Sequence, residues 1–244
     1  GEDSGPLLLG GLLVVAATCW LLASLVYGGI LEEPGSTEGG ANGISEALGK
    51  LRLLRDEPDF GRFVLARALL LVSALSSPFV VLLARTKGMG GWDGLPLFLL
   101  AAGAASLLSS PFWGRFADRS SRLTMIVSGA LASAVALAAI ATDAWLDGDT
   151  GGWALVGLFF VLGVAHDGVR LGRKTYLVDL AGGNKRTDYV AVSNTAMGVL
   201  LLVTGAITGA VGTASVPAAL AVLAGMGLAG AWLCLRLPEV QQPG

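Results

Sequence analysis

The densest knot of charge in the chain is Gly114-Arg115-Phe116-Ala117-Asp118-Arg119-Ser120-Ser121-Arg122, four ionic side chains in nine residues between two apolar stretches. Gly114 permits close helix approach, and Asp118 is of a type that accepts hydrogen bonds from the free amides of a helix N-terminus. The arginines can pair with that carboxylate or with lipid phosphates, and a plain basic loop has the same composition. A second candidate is His166 beside Asp167, one turn before Arg170. Imidazole titrates near neutral pH, so an intramembrane His–Asp pair has the chemistry of a proton relay. Adjacent helical residues point about 100° apart, however, and an interfacial helix end with Asp167 paired to Arg170 or Arg173 needs no relay. Arg67 stands alone about one turn inside an apolar run. It suits snorkelling or a structural ion pair, or else a place facing a central cavity. Uncharged polar residues add weaker chemistry: Ser73, Ser76 and Ser77 beside Pro78, then Asn194, Thr204 and Thr208. Pro78 can break its helix and free carbonyls for a ligand, while hydroxyls equally bond back to their own helix.

Several chemistries fail on residue type. Gly43–Lys50 ends in Gly49-Lys50, but five residues separate its glycines and Leu51 stands where a phosphate loop needs Ser or Thr. A zinc protease motif needs two histidines, and the chain has one. A retinal Schiff base needs a lysine within a span, whereas Lys50, Lys87, Lys174 and Lys185 fall in connections. Cys19 and Cys234 lie far apart in apolar runs and read as small buried hydrophobes. No catalytic group, metal site or cofactor is expected.

The elements that must position these residues follow from composition. Of 244 residues only 14% are charged against 54% apolar, and the mean hydropathy is +0.71. A soluble domain carries about 25% charged residues. With a net charge of −2 there is no basic excess to bind nucleic acid. The charges cluster between long apolar runs, as they do in an integral membrane protein. A helix crossing the hydrocarbon needs about 20 apolar residues. Seven runs meet or approach that length: Leu7–Ile30, Phe63–Ala84, Leu95–Trp113, Leu123–Ala141, Trp153–Val169, Tyr189–Thr213 and Val216–Leu235. They are continuous and Leu/Ala-rich, not alternating, so the fold is an all-α membrane bundle of seven transmembrane helices. With alternating connections, 13 of the 16 basic residues fall on one side and only Arg85 and Lys87 on the other. By the positive-inside rule the C-terminus, 236–244, is cytoplasmic. Residues 31–62 form a long cytoplasmic linker whose second part, Ile44–Arg55, reads as an amphipathic helix on the membrane surface. Gly205-x-x-x-Gly209, continuing to Gly212, provides for close helix packing. The opening Gly-Glu-Asp-Ser-Gly has neither Met nor a basic region, which suits a piece of a longer protein.

The stretch Gly114–Arg122 resembles the cytoplasmic loop motif of the major facilitator superfamily, Gly-x-x-x-Asp-Arg/Lys-x-Gly-x-Arg/Lys. Gly114, Asp118 and Arg119 match in register, Ser121 replaces the usual glycine, and Arg122 comes one place early. Such degeneracy is typical of the motif's second copy, between helices eight and nine, and 31–62 is similar in place to the family's long central loop. The segment from Arg170 to Arg186 resembles its loop between helices ten and eleven. The resemblance implies helices six to twelve, the last six (63–235) forming two inverted three-helix repeats. It implies secondary transport of a small solute by alternating access, as a permease or efflux protein, with protons as a candidate coupling ion. Gly114, Asp118, Arg119 and Arg122 would then hold the cytoplasmic gate without touching substrate. Arg67, Ser73, Ser77, His166, Asp167, Asn194 and Thr204 are the cavity or coupling candidates. The expected partners are membrane lipids, the solute and a missing N-terminal half, without which this part should not transport. The alternative weighed beside it is a non-transporting receptor or scaffold on the same bundle.

Overall fold

The computed structural model describes residues 4–29, 49–89, 94–182 and 185–241, and every regular element among them is helical. The chain divides into two units, Gly1–Gly43 and Ile44–Gly244. The first contains α1 (Ser4–Gly28), in which Thr18 Oγ1 donates to the Val14 carbonyl at 2.8 Å and Cys19 is exposed, not buried as expected. The helix covers most of the expected first span Leu7–Ile30.

The second unit holds α2 (Leu53–Asp56), α3 (Pro58–Leu69), α4 (Val72–Thr86), α5 (Gly94–Arg119), α6 (Ser121–Trp145), α7 (Gly148–Leu180), α8 (Arg186–Ala214) and α9 (Val216–Cys234). Six segments are long and apolar enough to cross a membrane: 58–86, made of α3 and α4 together, and each of α5 to α9. Local chemistry sets their ends. Pro58 opens α3 where a missing N–H costs nothing, with Asp59 facing the positive end of the helix dipole. Ser120 alone separates α5 from α6, and its hydroxyl caps α6 by accepting from the Leu123 amide at 3.0 Å. Ser215 does the same between α8 and α9, accepting from Ala218. After α4 the chain turns at Gly88, whose φ of +95° is open to glycine and strained for other residues.

Close helix approach is achieved by small residues, but not by those the spacing singled out. Gly205 and Gly209 face open space, and only Gly212 of that series packs, against Phe79. The tight contacts lie around α6. A side chain at Gly168 would meet the Trp113 ring at 2.6 Å and Ser128 at 2.7 Å, and one at Gly172 would meet Met125 and Thr124. Gly227 sits against Ser133 and Val72. Without a hydrophobic force between helices in lipid, such backbone proximity is what dispersion contacts require. The core has two large layers and a small third cluster, Ala68, Leu71 and Met197, beside the second span's break. One layer gathers Phe79, Val80, Leu83, Phe98, Val135, Leu155, Leu162, Leu220 and Leu223. The other, nearer the chain's C-terminus, stacks Phe60 on Tyr189 and Phe63 on Tyr176 around Met125, Val169, Cys234 and Leu237.

Several expected boundaries move. The second span begins at Pro58, within the expected linker, and breaks at Leu70–Leu71, while Pro78 lies inside an unbroken α4. At the break the Leu71 amide bonds to Ala68 and that of Ala74 to Leu71, a local tightening to three-residue turns. The fifth span does not end at His166-Asp167: α7 runs through them and through Arg170–Lys174 to Leu180. At 1.5 Å per residue its 33 residues reach about 50 Å, well beyond the hydrocarbon thickness. Charges mark where lipid ends, not where a backbone ladder ends. Of the expected surface helix Ile44–Arg55, residues 49–50 are helical, a turn follows at 51–52, and the four-residue α2 begins at Leu53. Its Leu51, Leu53 and Leu54 pack on the Phe60 layer of the bundle. Residues 30–48, with the linker's first part, lie outside the described residues.

Candidate functional site

Polar side chains converge where the second span breaks. Arg67 occupies the last turn of α3, just before the Leu70–Leu71 break, and Ser73 the first turn of α4 just after it. Arg67 reaches α8: Nη1 donates to the Ser193 hydroxyl and Nη2 to Asn194 Oδ1 at 3.0 Å. Its Nε is buried and has no hydrogen-bond partner among the described residues. Ser73 instead reaches α7, with Oγ 3.2 Å from His166 Nδ1. The same hydroxyl lies 3.3 Å from the Leu70 carbonyl freed at the break. One hydroxyl proton cannot serve both. If Ser73 donates to Leu70, His166 carries its proton on Nδ1 and donates to Ser73; if Ser73 donates to the ring, Nδ1 is bare. The contact therefore registers the tautomer of His166.

Asp167 turns away from its neighbour, as the helical angle requires. It is 9% exposed, accepts from Ser109 of α5 at 3.4 Å, and pairs with Arg170 at 3.0 Å. The structure thus joins Arg67 to Asn194 and Ser73 to His166, and keeps Asp167 with α5. Phe63 stacks on Tyr176, one turn from Arg173, and Ser73 meets His166, which sets Arg173 at the level of Arg67. Ser77 is half-exposed one turn along α4 from Ser73 and has no hydrogen bond among the described residues, and the buried Ser76 Oγ likewise has none. Thr204 is ten residues along α8 from Asn194, about 15 Å by helix rise, and so stands apart. Sequence reasoning missed Ser193 and Ser109, single serines in apolar runs that only helix contacts distinguish from backbone-bonded ones.

The Gly114–Arg122 stretch is less a loop than two helices meeting at Ser120. Gly114 has open space where a side chain would be, so it permits no close approach. Asp118 and Arg119 are exposed in the last turn of α5, where Asp118 caps nothing because Ser120 is the cap. Arg119 and Arg115 line an open groove of about 430 Å³ along α5 with Leu108, Pro111, Phe112 and Phe116. Arg122 is the engaged member: it donates to the Leu237 carbonyl at 2.9 Å and pairs with Glu239 at 3.3 Å. The segment after α9 straps this corner. Glu239 also accepts from Ser120 at 2.8 Å, Gln241 bonds the Ser121 amide and the Ala117 carbonyl, and Tyr176 donates to the Pro238 carbonyl at 3.0 Å. At the opposite end of the bundle, Lys87 donates to Asp147 and to the Asp143 carbonyl, both at 2.9 Å. That hydrogen bond to Asp147, with the charge of Asp143 nearby, holds the Lys87 ammonium above the ordinary lysine range.

The model of the Major Facilitator Superfamily matches residues 70–244, more than two thirds of the chain. No curated protein and no solved structure matches the chain significantly. The chain is an integral membrane protein and belongs to the major facilitator superfamily, whose members are transporters and not enzymes.

Proposed function

We propose that 63–235 acts as one six-helix half of a secondary transporter, moving a small solute by alternating access against a second bundle. The observation that carries this is the broken second span. Discontinuous helices in lipid are tolerated where they line a cavity, and here the break sits between two residues, Arg67 and Ser73, that reach different helices. In support of a second bundle, α5 and α8 bury the smallest share of their length among the six spans. We read 63–141 and 153–235 as inverted three-helix repeats. Asp118, Arg119 and Arg122 form the gate in the cytosol, and His166 is the candidate proton carrier. The membrane is the inner or plasma membrane, with the C-terminus in the cytosol.

The test is the complete gene product in proteoliposomes, screened for solute uptake with and without a pH gradient. Saturable flux that falls at least tenfold in Arg67→Ala supports the reading. Absence of flux across the screen, or flux indifferent to Arg67→Ala, counts against it. An unchanged pH profile in His166→Gln removes the proton role alone, and an unchanged rate in Asp118→Asn removes the gate.

A further inference from the structure

Among the described residues the cations that are not exposed are Lys50, Arg67, Lys87, Arg122 and Arg173, and three of these five meet a carboxylate. Lys50 pairs with Asp188, Lys87 with Asp143 and Asp147, Arg122 with Glu239, Arg170 with Asp167, and Lys185 with Glu57. Arg67 and Arg173 break the pattern. The terminal nitrogens of Arg67 are held by two neutral groups, Ser193 and Asn194, and its Nε is buried with no partner among the described residues. Arg173 also buries an unpartnered Nε, and among the described residues it has no hydrogen bond and no carboxylate within ion-pair distance. The acids nearest along the helix, Asp167 and Asp179, lie six residues away on either side; Asp167 is taken by Arg170 and Ser109, and Asp179 accepts from Gln241. Phe63 stacks on Tyr176 and Ser73 meets His166, so the second span and α7 run side by side with Arg67 at the level of Arg173, and neither guanidinium has a carboxylate of its own among the described residues. Leaving buried charge uncompensated is costly, and ionisable groups within membrane spans mark pathways.

We propose that the solute itself supplies the missing charge: it is an anion whose carboxylate, phosphate or sulfonate binds between Arg67 of α3 and Arg173 of α7. Guanidinium matches these groups in shape, since its parallel N–H donors meet two oxygens at once. Ser193 and Asn194 hold the terminal nitrogens of Arg67 beside the helix break. The inference rests on the transport reading above, but its test does not require turnover.

The chain is placed in phosphatidylcholine nanodiscs and its thermal unfolding followed at constant ionic strength. Benzoate, benzenesulfonate and phenyl phosphate are titrated in turn, with benzylamine and benzyl alcohol as cationic and neutral counterparts. At least one anion raises the midpoint saturably, while benzylamine and benzyl alcohol do not. Arg67→Gln and Arg173→Gln each weaken that response tenfold or more, and Arg85→Gln leaves it unchanged. Should a glutamine variant fail to fold, Arg67→Lys and Arg173→Lys replace it, keeping the charge, losing the fork, and weakening the response by a smaller factor. No saturable response to any of the three anions overturns the proposal, as does an equal response to benzylamine or one that survives both glutamine substitutions. If only phosphatidylglycerol stabilises, in an Arg67-dependent way, the site belongs to a lipid headgroup and the solute assignment falls. A carrier of neutral solutes would fail here and still show flux in proteoliposomes, so the two failures are distinguishable.

Discussion

Neighbours, more than residue type, give each polar or small side chain its role here. Arg67 could have snorkelled to the interface, yet it is tied to Ser193 and Asn194 across the bundle. Gly168 and Gly205 look alike in sequence, but one lies against Trp113 and the other against nothing. Gly168→Ala should therefore overpack α7 on α5 and α6 and destabilise the bundle by about 1–3 kcal/mol. Gly205→Ala should be neutral or slightly stabilising, by up to about 1 kcal/mol, because it removes backbone freedom from an open helix position. Unfolding in mixed micelles compares the two, and equal destabilisation would contradict the packing described. Lys87 gives a pH signature. Its folded-state pKa is raised, first by the hydrogen bond to Asp147, so its stabilising contribution is complete below the ordinary lysine value of about 10.4. The contribution is lost as pH climbs through the higher folded-state value. Thermal midpoints measured upward from pH 9.5 should fall more steeply in the native chain than in Lys87→Met.

Helix ends depend on single groups whose worth is measurable. Ser120 both caps α6 and donates to Glu239, so one hydroxyl joins the α5–α6 corner to the segment after α9. Ser120→Ala should lower stability by about 1–2 kcal/mol, the usual worth of an N-cap, and speed amide exchange at Ser121–Thr124. Wild-type exchange there would place the cap elsewhere. Hydropathy placed the corner correctly between Trp113 and Leu123, but it could not show that α5 continues to Arg119. The same limit hid the length of α7, because the backbone ladder persists through Arg170, Arg173 and Lys174 once it has left hydrocarbon. The break at Leu70–Leu71 carries no proline or glycine at all. The residues on either side of it, Arg67 and Ser73, reach different helices, and those contacts lie far apart in sequence.

For the molecule as a whole, the ends of the six spans fall into two groups that share contacts. Glu57, Ser120, Tyr176, Lys185 and Glu239 interact at one end, and Lys87, Asp143 and Asp147 at the other. In a Cys19→Ser background, Asp147→Cys should react with an impermeant maleimide from outside intact cells, its side chain being 99% exposed. Lys185→Cys should react only after permeabilisation, and the reverse pattern would invert the sidedness argued from basic residues. The sequence by itself determined that the chain is a helical membrane protein, roughly where its spans run, and its family. Transfer of apolar segments into lipid depends on composition and length, and the Gly114–Asp118–Arg119 spacing is local. Only the tertiary structure decided which polar residues meet. Arg67 and Ser193 lie 126 positions apart and Ser73 and His166 lie 93 apart, on helices whose mutual rotation is set by the small residues between them. Such rotation is a collective outcome of packing, written in no single segment.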